Sequence, residues 1–230
     1  MKSTEKNVEK FYSELRFPGI YSADDLQALQ RPTGNYYLDI IENYVCKANT
    51  IMDAGCGTGL VTNLMAMRWP SKQFIGLDFS QSLETAKSFA AQNSLNNVQF
   101  QHQDLVRLWH GQPQDLVICQ GVLHHIPRYH LALHNLLHHM SPHGSMLLGL
   151  YHPWGKQVQR WLQLVYENQM LCKDQTENPF ESTFDLGQLR GMVQGYNVKV
   201  VGPTIFGSAA LASMAKARSG AIVMYEVSRA

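Results

Sequence analysis

The chain has 230 residues, 45% of them apolar and 16% charged, which suits one α/β domain with a full core. Its 19 basic residues balance 18 acidic ones to a formal net charge of +1, so it carries no basic footprint for nucleic acid or an anionic membrane surface. No apolar run reaches the length of a membrane span.

In chain order, residues 1–35 precede the core. Met1 to Asn7 leads into an amphipathic helix and not an apolar signal core. Glu5 to Leu15 predicts that helix, with Val8, Phe11, Tyr12 and Leu15 on one face. Phe17 to Ser22 predicts a turn, Ser22 caps a short helix through Asp24, Asp25 and Leu29, and Asn35 to Lys47 predicts a helix with Leu38, Ile41, Tyr44 and Val45 inward.

Ile51-Met52-Asp53-Ala54-Gly55-Cys56-Gly57-Thr58-Gly59 then reads as a buried strand entering a glycine turn, followed by a helix from Leu60 to Trp69. Glycines at alternate positions let backbone approach a ligand closely, and the helix N-terminus behind them offers free N–H groups. The dinucleotide fingerprint G-x-G-x-x-G requires a small residue at 60, where this chain has Leu60.

Gln73 to Leu77 predicts the next strand, ending at Asp78, about twenty residues beyond the turn, where an open α/β sheet presents a carboxylate to ribose hydroxyls. Ser80 reads as the N-cap of a helix to Gln92. Val98 to His102 predicts a third strand ending before Asp104, and Asp115 to Cys119 a fourth ending at Gln120-Gly121. A helix over Arg128 to Met140, a turn at Pro142-His143-Gly144 and a fifth strand over Ser145 to Leu150 follow. Beyond Tyr151 the pattern predicts an amphipathic helix (Val158 to Leu171), a polar loop (Cys172 to Pro179), a helix over Asp185 to Val193, and strands over Asn197 to Val201 and Ala221 to Val227. The last two form an antiparallel pair at the sheet edge, joined through 202–219.

These pieces resemble the class I S-adenosylmethionine-dependent methyltransferases. The matching segments run in family order from about 36 to 151: D-A-G-C-G-T-G (Asp53 to Gly59), G-L-D-F-S (Gly76 to Ser80, including Phe79), Phe100 to Asp104, D-L-V-I-C (Asp115 to Cys119) and G-V-L-H-H-I (Gly121 to Ile126). The resemblance implies a Rossmann-like, doubly wound α/β fold: a seven-stranded, mostly parallel sheet with its last strand antiparallel. It implies one domain, with a lid at 1–35, a cofactor-binding core at 36–151, a substrate cap at 152–184 inserted after the fifth strand, and 185–230 completing the sheet. S-adenosylmethionine is the implied cofactor and S-adenosylhomocysteine the product. The turn of Gly55, Cys56, Gly57 and Gly59 cradles the methionine part. Asp78 holds the ribose, with Phe79 beside it. Asp104 and Leu105 sit by the adenine, and Gln120 by the transfer site. Asp53 either contacts the cofactor or orders the turn. Tyr12, Tyr21, Arg31, Tyr36 and Trp154 are candidates for lid or substrate contacts, with packing the alternative for each.

Ten histidines crowd mostly between His110 and His152. His130, His134 and His138 share one helix face and read as surface residues, since a metal site needs convergent ligands with oriented partners; no metal is expected. His124 and His125 follow the fourth strand and His152 the fifth, at the sheet edge where ligands bind, and are candidate general bases. The four cysteines form no C-x-x-C pair, as in reduced cytoplasmic enzymes, and a cytoplasmic location is expected. Methyl transfer to a small-molecule O, N or C acceptor is the expected reaction. A protein- or RNA-modifying enzyme, or a non-catalytic cofactor binder, are the alternatives. The acceptor and the oligomeric state are not legible.

Overall fold

The structure is a computed structural model that describes residues 2–15, 17, 19–29, 33, 36–157, 178–202 and 222–230. Helices α1 (Lys2–Glu14), α2 (Ala23–Gln27) and α3 (Tyr36–Val45) precede β1 (Thr50–Ala54). Then α4 (Leu60–Arg68), β2 (Gln73–Asp78), α5 (Leu83–Gln92), β3 (Val98–His102), β4 (Gln114–Gln120), α6 (Tyr129–His138) and β5 (Met140–Tyr151) follow. Helix α7 (Leu186–Met192), β6 (Tyr196–Gly202) and β7 (Ile222–Arg229) complete the described elements. Among them, no helix is long and apolar enough to cross a membrane.

The seven strands form one sheet in the order β3-β2-β1-β4-β5-β7-β6. Pairs β1–β2, β1–β4, β2–β3 and β4–β5 are parallel, whereas β7 runs antiparallel to both β5 and β6. The expected seven-stranded α/β sheet is therefore present. Strands β1, β2 and β4 are buried along nearly their whole length, as expected where helices cover both faces. Alternate residues feed two cores. Met52, Val117 and Leu148 pack on the side of α6 and α7, and Ile51, Ile118 and Leu147 pack on the side of α3 and α4. Helix α3 is pinned to the far strand by Tyr37 Oη, which donates to Ile222 O at 2.8 Å, and by Tyr44 Oη, which donates to Glu226 at 2.6 Å.

Two element boundaries differ from expectation. Ser80 is not the helix cap: α5 starts only at Leu83, with Ser82 at its N-cap, and the Ser80 N–H donates to the Asp78 carboxylate at 2.7 Å. Strand β5 begins at Met140, so α6 stops at His138. The residues predicted as a turn are instead a bulge: pairing steps from Gln114↔Met140 to Leu116↔Ser145, leaving 141–144 looped out opposite Asp115. The predicted helix at 158–171, residues 172–177 of the predicted polar loop, and the connection over 203–221 lie outside the described residues.

Candidate active site

The glycine turn lies at the carboxyl end of β1, the edge at which open α/β sheets bind ligands. Gly55, Gly57 and Gly59 have φ of +82°, +56° and +75°, a region that L side chains resist. Steric need coincides with conformation. A Cβ at Gly55 would lie 2.4 Å from a Val122 methyl, and one at Gly59 would lie 2.5 Å from Ala86 Cβ. The β1 turn is therefore pressed against the β4 loop on one side and α5 on the other.

The N–H groups of the turn itself are all engaged within the protein. Gly55 and Cys56 both donate to Leu77 O (2.7 and 3.1 Å), Thr58 to Phe17 O (3.0 Å) and Gly59 to Cys56 O (2.9 Å), while Gly57 donates to Asp78 at 2.8 Å. The turn presents shape and carbonyl oxygens to a ligand. Cys56 is buried with its sulfur against Gly76, 2.9 Å from where a Cβ would stand. Burial, with Asp53 and Asp78 adding, pushes its thiol well above the usual range, so this sulfur packs and does not react.

Asp78 accepts one backbone N–H on each carboxylate oxygen, from Ser80 and from Gly57. A carboxylate has about four acceptor sites, so two remain, the number a vicinal diol requires. Asp53 sits beneath the turn, buried, and accepts from Thr62 Oγ1 at 2.6 Å. That contact ties the end of β1 to the first turn of α4, so the geometry carries the ordering role for Asp53. Burial raises its carboxyl to about 6, against the lowering bond from Thr62. Asp104 is a loop carboxylate that accepts Val106 N–H at 3.0 Å. Leu105 is buried beside Met52 and Leu77 and lines a small cleft with Gln103 and Trp109. At the end of β4, the buried Gln120 Oε1 has no hydrogen-bond partner among the described residues. An adenosyl-amino-acid cofactor fits this set: a side-chain-free cradle, a diol acceptor and an orphaned amide oxygen on one edge.

The N-terminal segment docks onto the cradle. Tyr21 Oη donates to Thr58 O and accepts from Asn63 Nδ2, each at 2.8 Å, and its ring lies 4.7 Å from Phe89. Burial lifts its hydroxyl to about 12. Tyr12 on α1 places its ring 6.3 Å from Phe79 and 6.0 Å from His125, and its hydroxyl accepts from Asn178 at 2.6 Å. Arg31 and the side chain of Tyr36 lie outside the described residues. Trp154 follows β5 and is 62% exposed. Tyr21→Phe removes both hydroxyl contacts and is expected to cost about 1–2 kcal/mol. Hydrogen exchange on residues 2–29 would show it, by faster exchange than in the parent.

His130, His134 and His138 are exposed along α6. His124 and His125 are buried in a short 3₁₀ turn after β4. Hydrogen-bond partners set the tautomer of each neutral ring. His124 Nδ1 accepts the Tyr151 N–H at 3.2 Å, and His152 Nδ1 accepts the Trp154 N–H at 3.2 Å, so Nε2 carries the proton in both. Burial holds both below the usual histidine range. His125 Nδ1 faces the Phe180 carbonyl at 3.2 Å, which can only accept, so its proton is on Nδ1 and Nε2 is the acceptor. In His124 and His152 the basic nitrogen is already taken by a backbone N–H, whereas in His125 the backbone contact is made by the protonated nitrogen.

The sequence signals nothing about Lys156 and Glu181. Lys156 is buried, its Nζ 2.7 Å from Glu181 and 4.3 Å from the centre of the Tyr151 ring. Tyr151 in turn stacks on His124 at 3.8 Å. The partners are 25 positions apart, near the two ends of the expected cap, and no local pattern links them. The segment entering α7 is laced to the same place. Ser182 N donates to His124 O at 2.8 Å and Phe184 N to Tyr151 O at 2.8 Å.

Residues 46–215 match the protein family described as methyltransferase domain. The chain is 35% identical over 119 residues to trans-aconitate 2-methyltransferase of Pseudomonas paraeruginosa, covering 51% of this chain and 40% of that one. It is 29% identical over 147 residues to malonyl-[acyl-carrier protein] O-methyltransferase of Bacillus cereus, covering 63% of this chain and 54% of that one. The chain thus spans about 40% of the length of the trans-aconitate relatives it matches. In fold it is similar to the magnesium protoporphyrin IX methyltransferase of Synechocystis PCC 6803 with bound SAM, at a TM-score of 0.63 and 16% identity, covering 99% of this chain and 97% of that one.

Proposed function

The chain belongs to the methyltransferase-domain family, and we propose that it moves a methyl group from S-adenosylmethionine to a small-molecule acceptor, leaving S-adenosylhomocysteine. The observation that carries this reading is the convergence of the glycine turn, the Asp78 carboxylate and the orphaned Gln120 Oε1 on one sheet edge. When bound, the cofactor supplies a sulfonium methyl whose leaving group is already activated. The chain's residues then have to bind, align acceptor and donor, and exclude water, which is where most of the rate arises in such a displacement. Asp78 holds the ribose hydroxyls on its two remaining acceptor sites. Phe79 and Leu105 flank the adenine, and the Tyr12 ring closes the edge between Phe79 and His125. For an acceptor that must lose a proton, His125 takes it at Nε2. The other two histidines position: His124 braces Tyr151, and His152 holds the backbone at Trp154.

Calorimetry with S-adenosylmethionine, S-adenosylhomocysteine and NAD tests the cofactor, with binding of the first two and not the third expected. Binding of neither sulfur compound would sink the reading.

Two relatives are named for acids, which favours a second feature, an acidic acceptor. A carboxylate is ionised at neutral pH and needs no base. His125→Gln is therefore expected to lower turnover on phenol or amine acceptors by roughly 10²-fold or more and to leave carboxylate turnover nearly unchanged. Equal loss on all acceptor classes would overturn this assignment.

A further inference from the structure

We propose that Gly149, near the carboxyl end of β5, is a positioning residue for the transfer site: its missing side chain is the space in which the Gln120 amide lies. The two residues are cross-strand partners in the parallel β4–β5 pair, so their side-chain directions fall on the same sheet face. A Cβ built on Gly149 would stand 2.2 Å from Gln120 Oε1, 2.4 Å from Cδ and 2.6 Å from Nε2, and these are its three nearest atoms. Gly149 does not have a positive φ, so backbone conformation does not require glycine there. The nearest obstacle to a side chain there is the Gln120 amide.

The amide lies flat across β5 with Oε1 buried and without a partner among the described residues. A buried acceptor in that state holds its position only where packing leaves it room, and it gains from a ligand that donates to it. On the proposed activity, that ligand is the amino-acid end of the cofactor or the acceptor beside it. An alanine at 149 would push the amide off β5 and turn the acceptor away. The displaced atoms are the far end of a flexible side chain, so the fold has no reason to fail.

Gly149→Ala is expected to melt close to the parent and to bind S-adenosylhomocysteine roughly tenfold more weakly, about the value of one hydrogen bond. In a Gln120→Ala background the same substitution is expected to cost nothing, because no amide remains to displace. The cofactor-free protein gives an independent readout, since the side-chain amide resonance of Gln120 in a nitrogen-15 spectrum should move in Gly149→Ala. An unmoved resonance, or an equal loss of affinity in both backgrounds, overturns the proposal. If the parent binds no S-adenosylhomocysteine, the proposed activity fails, while the amide resonance still decides whether Gly149 positions Gln120.

Discussion

Gly55→Ala is expected to lose cofactor binding and much of the protein's stability together. Two costs act at once. The residue sits at φ +82°, where an L side chain is strained, and its new Cβ would be driven to 2.4 and 2.6 Å from both Val122 methyls. Neither is easily relieved. The backbone is held from behind, because Gly55 N and Cys56 N both bond Leu77 O. Val122 is β-branched and stiff at χ1, so its methyls have little room to rotate away. Left-handed strain of about 1–2 kcal/mol and overpacking of about 1–3 kcal/mol add to roughly 2–5 kcal/mol, a large share of a typical domain's margin. Denaturant unfolding and S-adenosylhomocysteine calorimetry measure the two losses. Val122→Ala in the same chain separates the terms. It should restore the overpacking part and leave the backbone part. A double variant no more stable than Gly55→Ala would refute the steric argument.

The same two residues show what the sequence can and cannot reveal. The need for glycine at 55, 57 and 59 is written in the spacing, since close approach and positive φ are local demands. Its neighbour Val122 comes from the loop after β4, far along the chain, and has no signature. The strands of the parallel sheet are legible because burial on both faces leaves near-continuous apolar runs. The start of β5 is not: Pro142-His143-Gly144 carries turn chemistry, and only pairing with Gln114 shows it to be a bulge. The partners of the glycine turn's N–H groups are illegible for a related reason. Most of their partners, Leu77, Phe17 and Asp78, come from other segments. Gly149 does leave a trace, because a lone glycine inside an apolar strand often marks a close approach by another group. The tautomers of His124, His125 and His152 are beyond reach, being set by backbone groups at 151, 180 and 154.

A second large effect is expected from pH, through Asp53. Its carboxyl is wholly buried under the glycine turn. Burial raises it to about 6, with Thr62 donating to it and the nearby Asp78 charge adding to the rise. An unfolded Asp titrates near 3.9. Below that value both states hold the proton and the site costs nothing. Between about 4 and 6 the native state binds more protons than the unfolded one, so stability falls as pH rises. Above about 6 both are ionised and the full penalty stands, about 3 kcal/mol for a carboxyl raised from near 4 to about 6. Other carboxylates act the opposite way. At Asp115, the raising effect of burial is outweighed by N–H bonds from Asn49 and Thr50. At Glu226, burial is outweighed by bonds from Tyr44 and Lys199. Both sites lose stability as pH falls, so the parent's pH curve alone is not diagnostic. The difference between parent and Asp53→Asn is. The asparagine amide oxygen of that variant would still accept from Thr62 but could not ionise, so the parent should lose about 3 kcal/mol relative to the variant between pH 4 and 7. Urea unfolding across that range measures it. A constant difference would mean that Asp53 keeps an ordinary carboxyl in the folded protein, and the buried acid beneath the cradle would then need a compensating partner that the Thr62 hydroxyl does not supply.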